Sequence, residues 1–276
     1  MHIVVCIKQV PDSAQIRIHP VTNTIMRQGV PAIINPYDLF SLEEALRLKD
    51  RFGGRVTVLT MGPPMAEASL RKAMSFGATD AVLLTDRKFA GSDTLATSYA
   101  LTSAIRKLHE EEPVDLVFCG KQTIDGDTAQ VGPGIATRMN MQQLTYVAKI
   151  EDVNLDSREI TVQRRSEGGV QVLKSRLPAM ITMLEGSNSM RFGTMDDMFR
   201  AARTPLKLWN KDTCVDDEAK VGLKGSPTVV SKVFVPKPRA EKAKMIEAEG
   251  GASAQAAAAI DMLFTTYPKL ANDLVR

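Results

Sequence analysis

Val114–Met139 reads VDLVFCGKQTIDGDTAQVGPGIATRM. The apolar run Val114, Leu116, Val117, Phe118 has the composition of a buried strand, and Gly120 ends it. A polar, glycine-containing turn follows, and a helical pattern is expected from about Thr128. Strand, turn and helix start in that order can cradle a phosphate, because the turn offers backbone N–H groups and the helix dipole favours an anion. Thr128 is expected to cap the helix, and Gln130 to reach a phosphate or sugar from its first turn. Asp125 and Asp127 flank Gly126 and would repel a phosphate unless turned outward, toward ribose hydroxyls or ring N–H groups. The run Gly132-Pro133-Gly134-Ile135-Ala136-Thr137 is not the dinucleotide fingerprint. From the stretch alone, a nucleotide loop and an ordinary strand-to-helix turn remain equal readings.

Outward from this stretch, strand and helix patterns alternate. Strands are expected at Ile3–Ile7, Arg55–Met61, Ala81–Thr85 and Asp115–Cys119, with a further one at Tyr146–Ile150. Ser41 and Glu44 have capping-box spacing ahead of Leu42, Ala45 and Leu46. Pro64–Phe76 reads as a second helix ending at Gly77, and a third starts at Asp93 or Thr94 and reaches His109. The alternation predicts an α/β fold: a doubly wound, mostly parallel, Rossmann-like sheet with helices on both faces. In such sheets the ligand lies beyond the carboxyl ends of the strands, where strand order reverses. If the first strand neighbours the fourth, Cys6–Pro11 and Gly120–Gln130 bound that crevice. The turns at Met61-Gly62-Pro63 and Gly91-Ser92-Asp93-Thr94 open onto the same edge.

Composition narrows the function. The chain has 276 residues, 44% hydrophobic and 24% charged, as in ordinary globular proteins. A net charge of +3 and sparse aromatics give no base-stacking basic surface, so nucleic acid is not an expected partner. Cys6, Cys119 and Cys214 form no CxxC pair, and His2, His19 and His109 have no metal-ligand spacing, so no metal site is expected. No apolar stretch approaches membrane length, and the start MHIVVCIKQV lacks a basic leader. The expectation is a cytoplasmic protein that does not span a membrane.

Beyond about Val153 the pattern changes. Arg158–Arg165 and Val170–Lys174 flank Ser166-Glu167-Gly168-Gly169 as an added hairpin, and Ala179–Leu184 follows Pro178 as one more strand. Met190, Met195 and Met198 then punctuate an irregular stretch, where they suit either a loose core or an adaptable docking surface. Lys207, Lys211, Lys220, Lys224, Lys232, Lys237, Arg239, Lys242 and Lys244 space out a proline-bearing tail with an Ala-rich helix at about Ser253–Phe264. The domain expectation is therefore a nucleotide- or flavin-binding unit over residues 1–205 and an extended C-terminal arm over 206–276 that packs on a partner.

The chain resembles the β subunit of electron-transfer flavoproteins over nearly all of about the first 200 residues. The most specific likeness is VQRRSEGGVQVLKSRLPAMIT at 162–182; VVCIKQVPD at 4–12, NPYDLFSLEEALRLKD at 35–50, TMGP at 60–63 and GKQTIDGDTAQVGP at 120–133 are also similar. The resemblance implies a heterodimer with a flavin-holding α subunit, and an adenine nucleotide inside this chain. Conventional members carry AMP there, and the electron-bifurcating branch carries FAD. Gly126 and Ala129 replace bulkier polar residues of the conventional loop, Gly132-Pro133 differ similarly, and Ala90–Ser98 resembles the bifurcating branch, where it would lie against an isoalloxazine ring. The cofactor-binding residues so implied are Cys6, Lys8, Asn35, Met61, Gly62, Asp93, Thr94, Thr97, Gly120, Thr123, Ile124, Asp125, Gly126, Asp127, Thr128, Ala129, Gln130, Val131 and Gly132. The family's partner-recognition loop maps to about Leu184–Arg203, without an evident leucine anchor.

Each feature also has a plain structural reading. Cys6 is a core residue by type, Lys8 a solvated strand end, Asn35 a turn residue before Pro36, and Asp93 a helix cap. The resemblance favours FAD, hydride uptake from NADH, and electron delivery to ferredoxin or flavodoxin. A second path runs through the α-subunit FAD to a dehydrogenase or quinone-side acceptor. The alternative is a conventional carrier with structural AMP serving acyl-CoA dehydrogenases; a nucleotide-sensing α/β protein is a lesser one, since no P-loop is present. No side-chain acid–base pair is expected to act as a catalyst.

Overall fold

A computed structural model of the chain describes residues 1–12, 17–18, 25–26, 31–229, 231 and 245–273. His19 and the tail's Lys232, Lys237, Arg239, Lys242 and Lys244 lie outside these. The central sheet comprises β1 (His2–Cys6), β2 (Arg55–Met61), β3 (Asp80–Leu84), β4 (Leu116–Gly120), β5 (Gln142–Asn154), β6 (Glu159–Ser166), β7 (Gly169–Arg176), β8 (Ala179–Met183) and β9 (Lys207–Trp209). Their spatial order is β7-β6-β5-β8-β4-β1-β2-β3-β9. Every pairing from β5 across to β9 is parallel, and β6 pairs antiparallel with both β5 and β7. β1 therefore sits between β2 and β4, and strand order reverses at the β1–β4 seam.

Helices cover both faces because alternate residues of each buried strand point opposite ways. Ile3 and Val5 of β1 join Val56, Val58 and Phe118 in a core under α1 (Pro36–Phe52) and α2 (Glu67–Ser75). Val4 and Cys6 join Leu59, Val117 and Cys119 in a second core under α3 (Thr94–Glu111) and α4 (Val131–Met139). The central strands are thus apolar on both sides and read as continuous hydrophobic runs.

Several boundaries differ from the sequence expectation for identifiable reasons. α1 begins at Pro36, where a fixed φ suits the first helical position, so Ser41 lies inside the helix and caps nothing. Buried Ser41 instead donates its hydroxyl to the carbonyl of Cys119 at 2.6 Å. Pro64–Ala66 forms a tight 3₁₀ turn before α2. The last central helix starts at Val131 rather than Thr128, because Gly126 and Asp127 turn their N–H groups back to the Thr123 carbonyl. No side chain caps it. β5 is longer than Tyr146–Ile150, with Tyr146 at φ +58° beside a register shift against β8.

After β8 the chain is held on α1 by Arg191, whose guanidinium donates to Glu43 at 3.0 and 3.2 Å and to Asp50 at 2.6 Å. Met190 packs against the α1-side core. Phe192, and Met195, Met198 and Phe199 on α5 (Met195–Arg203), stay exposed, so the methionines divide between core and surface. The first compact unit spans Met1–Val233, beyond the expected boundary at 205, because Lys207–Trp209 pairs in parallel with Val82–Leu84 and buries Trp209. A second unit, Phe234–Arg276, contains the helix Gly251–Thr266, with Ile260 and Leu263 exposed.

β4 ends where α1 crosses it, and no side chain fits at the crossing. A Cβ on Gly120 would lie 2.3 Å from Oδ1 of Asp38 and 2.7 Å from the Tyr37 carbonyl carbon. Backbone must move to admit it. Gly120→Ala is expected to destabilise the chain by about 2–3 kcal/mol, read as a lower midpoint in urea unfolding with an unchanged slope.

Candidate functional site

The reversal of strand order opens a cavity of about 1090 Å³ at the carboxyl ends of β1–β4. Small-molecule sites usually hold roughly 300–1,000 Å³, so this one is large. One end is lined by Lys8, Asp38, Gly120, Gln122, Thr123 and the Gly126–Gly132 region. The other is lined by Met61–Pro64, Thr85–Arg87, and Phe89–Thr94 with Thr97.

Of the residues expected to hold a cofactor, Cys6, Lys8, Met61, Gly62, Asp93, Thr94, Thr97, Gly120, Thr123, Gly126, Thr128, Ala129, Gln130, Val131 and Gly132 line this one cavity. Asn35, Ile124, Asp125 and Asp127 do not. These four frame it. The side chain of Asn35, fully buried, donates to the Gln122 carbonyl at 2.9 Å and accepts from the Ile124 N–H at 3.1 Å. Asp125 takes both its short bonds from the Lys8 ammonium, at 2.8 Å, and Asp127 accepts from the Gln122 amide at 2.8 Å. Both acids are thereby turned onto protein partners. Burial raises the Asp125 carboxyl's pKa, but the Lys8 and Thr123 hydrogen bonds outweigh it and hold the group below the usual range.

Asp127 and Ala129 have φ of +52° and +55°, a left-handed backbone that costs non-glycine residues on the order of 1 kcal/mol each. This double reversal brings the chain into α4 with its first turn at the cavity wall, where Val131 and Gly132 line it. The first N–H groups of a helix have no intrahelical partner. Gly132 permits the close approach: a Cβ there would lie 3.0 Å from the Thr182 methyl and 3.2 Å from the Met180 sulfur.

Asp38 was not anticipated as a site residue. Its buried carboxylate accepts from the Lys8 N–H at 2.7 Å, the Asn35 amide at 2.9 Å and the Gly120 N–H at 3.2 Å. It joins the exits of β1 and β4 to the start of α1. Burial, only partly offset by these hydrogen bonds, pushes its carboxyl up to about 7. The signal available in the sequence was an acid three residues after Asn35 and two after Pro36, inside a helix's first turn. Pro64 and Thr85–Arg87 are further lining residues not anticipated, whereas Pro63, Ser92 and Gln122 lie in the stretches expected to bound the crevice.

Asp93 caps α3, accepting from the N–H groups of Leu95 and Ala96 at 2.9 and 3.0 Å. Its other oxygen accepts from Thr228. Burial works against ionisation, but the Ala96 and Thr228 bonds prevail and its pKa is lowered. Cys6 and Cys119 sit side by side at the cavity floor; their mutual hydrogen bond and burial raise the Cys119 thiol's pKa. Among the described residues, no cluster of three or more His, Cys, Asp or Glu is arranged to hold a metal, and no helix is long and apolar enough to cross a membrane.

The profile described as electron transfer flavoprotein domain matches residues 22–212. Protein FixA of Azotobacter vinelandii is 66% identical over 278 residues, covering 100% of this chain and 99% of that protein. Protein FixA of Azorhizobium caulinodans is 66% identical over 276 residues, 99% of this chain and 98% of that protein. An electron transfer flavoprotein subunit beta from Clostridium acetobutylicum is 48% identical over 232 residues, 84% of this chain and 87% of that protein.

The raised carboxyl of Asp38 has a signed consequence. A folded-state pKa of about 7 against the ordinary 3.8 means the native state holds a proton that the unfolded chain has lost. Stability from this group is therefore full below about pH 4 and falls as pH rises to 7, by roughly 4 kcal/mol over the window. Asp38→Asn, which cannot ionise, is expected to flatten that part of the stability–pH curve in urea unfolding series run from pH 4 to 8.

Proposed function

Because the chain belongs to the electron transfer flavoprotein family as a β-type subunit, we propose that its cavity holds FAD and that it works as one half of a heterodimer with a flavin-bearing α subunit. The observation that carries this reading is the continuity of the cavity, which runs unbroken from the Gly120–Gly132 loop to the Phe89–Thr97 wall. AMP would leave the second end empty, whereas a dinucleotide reaches both.

The residues would divide the task by position. Asn35 and Asp38 hold the Gln122–Ile124 backbone and the β1 exit rigid, so the adenylate end meets a preformed surface. The N–H groups of Val131 and Gly132, at the positive end of α4, suit the diphosphate without a basic clamp. Lys8 is already neutralised by Asp125 and contributes position more than charge. Thr94 and Thr97 on the first turn of α3 offer hydroxyls to the polar edge of a ring at the far end. When bound, FAD supplies the redox chemistry: hydride acceptance from NADH and one-electron delivery along two routes. The protein's part is to orient the cofactor and keep water from it.

The routes proposed are one to a low-potential acceptor of the ferredoxin or flavodoxin type and one through the α-subunit FAD toward a dehydrogenase or quinone-side acceptor. The exposed Phe192, Met195, Met198 and Phe199 support docking at the Leu184–Arg203 stretch, since thioether and aromatic groups adapt to varied partner surfaces. The C-terminal residues from Phe234 onward are proposed to engage the α subunit.

Nucleotide extraction and an absorption spectrum of the purified heterodimer test the central claim. Two FAD per heterodimer are expected; one FAD with one AMP would replace this reading by that of a conventional carrier, and no flavin would remove both. Ala129→Gln, which puts a bulky polar side chain at a left-handed position on the cavity wall, is expected to lose the β-site flavin and spare the α-subunit flavin. An unchanged flavin count in that variant would contradict the assignment of the loop.

A further inference from the structure

The segment following β9 was expected to be an arm that packs on a partner or on the domain surface; residues 217–228 run along the domain and fasten onto the back of the cavity's far wall. Buried Ser226 accepts from the Asp93 N–H at 2.8 Å and donates to the Gly222 carbonyl at 2.7 Å. Gly222 donates to the Ser92 hydroxyl at 3.0 Å, and Thr228 donates to the Asp93 carboxylate from its hydroxyl at 2.8 Å and its N–H at 3.2 Å. Asp217 donates its N–H to the Tyr99 hydroxyl at 3.1 Å.

Two glycines make the approach possible. A Cβ on Gly222 would lie 2.0 Å from the Lys88 carbonyl oxygen, and one on Gly91 2.6 Å from a Leu223 methyl. Gly222 also has φ +62°. The Phe89–Thr94 wall is thus clasped from behind by a segment more than a hundred residues downstream. From the side of its own strand it is held only locally: β3 ends at Leu84, Arg87–Phe89 is a single 3₁₀ turn with Phe89 buried, and Ser92 bonds back to the Phe89 carbonyl. None of the clasp residues Val221–Thr228 lines the cavity itself.

We propose that Val221–Thr228 is a specificity-determining clasp, which holds the Phe89–Thr94 wall at the spacing a dinucleotide needs and is indifferent to a mononucleotide at the Gly120–Gly132 end. Asp93, Ser226 and Thr228 are its positioning residues: they act on the wall and not on the ligand. This rests on the reading of the cavity as an FAD site.

The test uses the heterodimer dialysed until only the α-subunit flavin remains, then titrated calorimetrically with FAD and, separately, with AMP. Thr228→Val removes a hydroxyl of nearly the same shape at an exposed position, and Ser226→Ala removes the buried link. Each is expected to weaken FAD binding about tenfold, the weight of one well-placed hydrogen bond to a charged or preorganised group. AMP affinity should stay within a factor of two. Thr228→Ser, which keeps the hydroxyl, should restore parental FAD affinity. If the parent takes AMP and no FAD, the FAD reading itself falls and the clasp with it. If the parent takes FAD and both variants bind it as tightly as the parent, the clasp alone is overturned. Equal losses for FAD and AMP would also overturn it, because the segment would then be a general support.

Discussion

A buried carboxylate at the reversal of strand order is the contact on which the site depends. Asp38 accepts hydrogen bonds from three separate stretches of chain: the exit of β1, the cap residue of α1 and the last residue of β4. Each of those N–H groups would otherwise sit at a strand or helix end with no regular partner, where an unmet donor costs about 1–3 kcal/mol. Gly120 leaves the room for it, and Ser41 adds a second tie between α1 and β4 one residue earlier. With the two strand ends fixed, Asn35 fixes the loop beyond them. The cost is a charge in a dry place, which the surrounding dipoles offset only in part, as its raised pKa reports.

The cavity differs from a site built on charged clamps. Lys8 is paired with Asp125, and Asp127 with Gln122, and neither acid lines the cavity. Backbone donors at a helix start do not move and carry no counter-charge of their own, which suits an anionic ligand. Preorganisation here comes from two left-handed residues, Asp127 and Ala129, held by the turn at Thr123.

Much of this architecture is legible in residue order. Apolar runs closed by Gly or a polar turn marked β1–β4, since strands buried on both faces carry hydrophobic residues at every position. The adjacency of first and fourth strands, taken from the doubly wound pattern, is what the pairing of Ile3–Val5 with Leu116–Phe118 provides. Local signals misled where a stronger local constraint competed. Pro36 started α1 ahead of the Ser41–Glu44 box, and the Thr123 turn delayed α4 past Thr128. The short strand Lys207–Trp209 escaped notice because three residues, one of them a lysine, between Pro205 and Lys211 carry no strand period. Asp38 and the Ser226–Thr228 contacts are invisible for a different reason. Their meaning lies in hydrogen bonds spanning 30 to 135 positions, and no local pattern encodes such a pairing.

The late return of the chain to the Phe89–Thr94 wall also orders the molecule in time. A ribosome delivers the N-terminal segment first, and strands β1–β4 with their helices can condense as a unit before the rest emerges. The wall's fastening to Thr228, 135 residues beyond Asp93, must wait for synthesis to pass that point and for a large loop to close. A nascent chain therefore carries the residues of both cavity ends before the Phe89–Thr94 wall can be fastened from behind. The last contacts of this unit to form are accordingly those that fix the second end of the crevice in place.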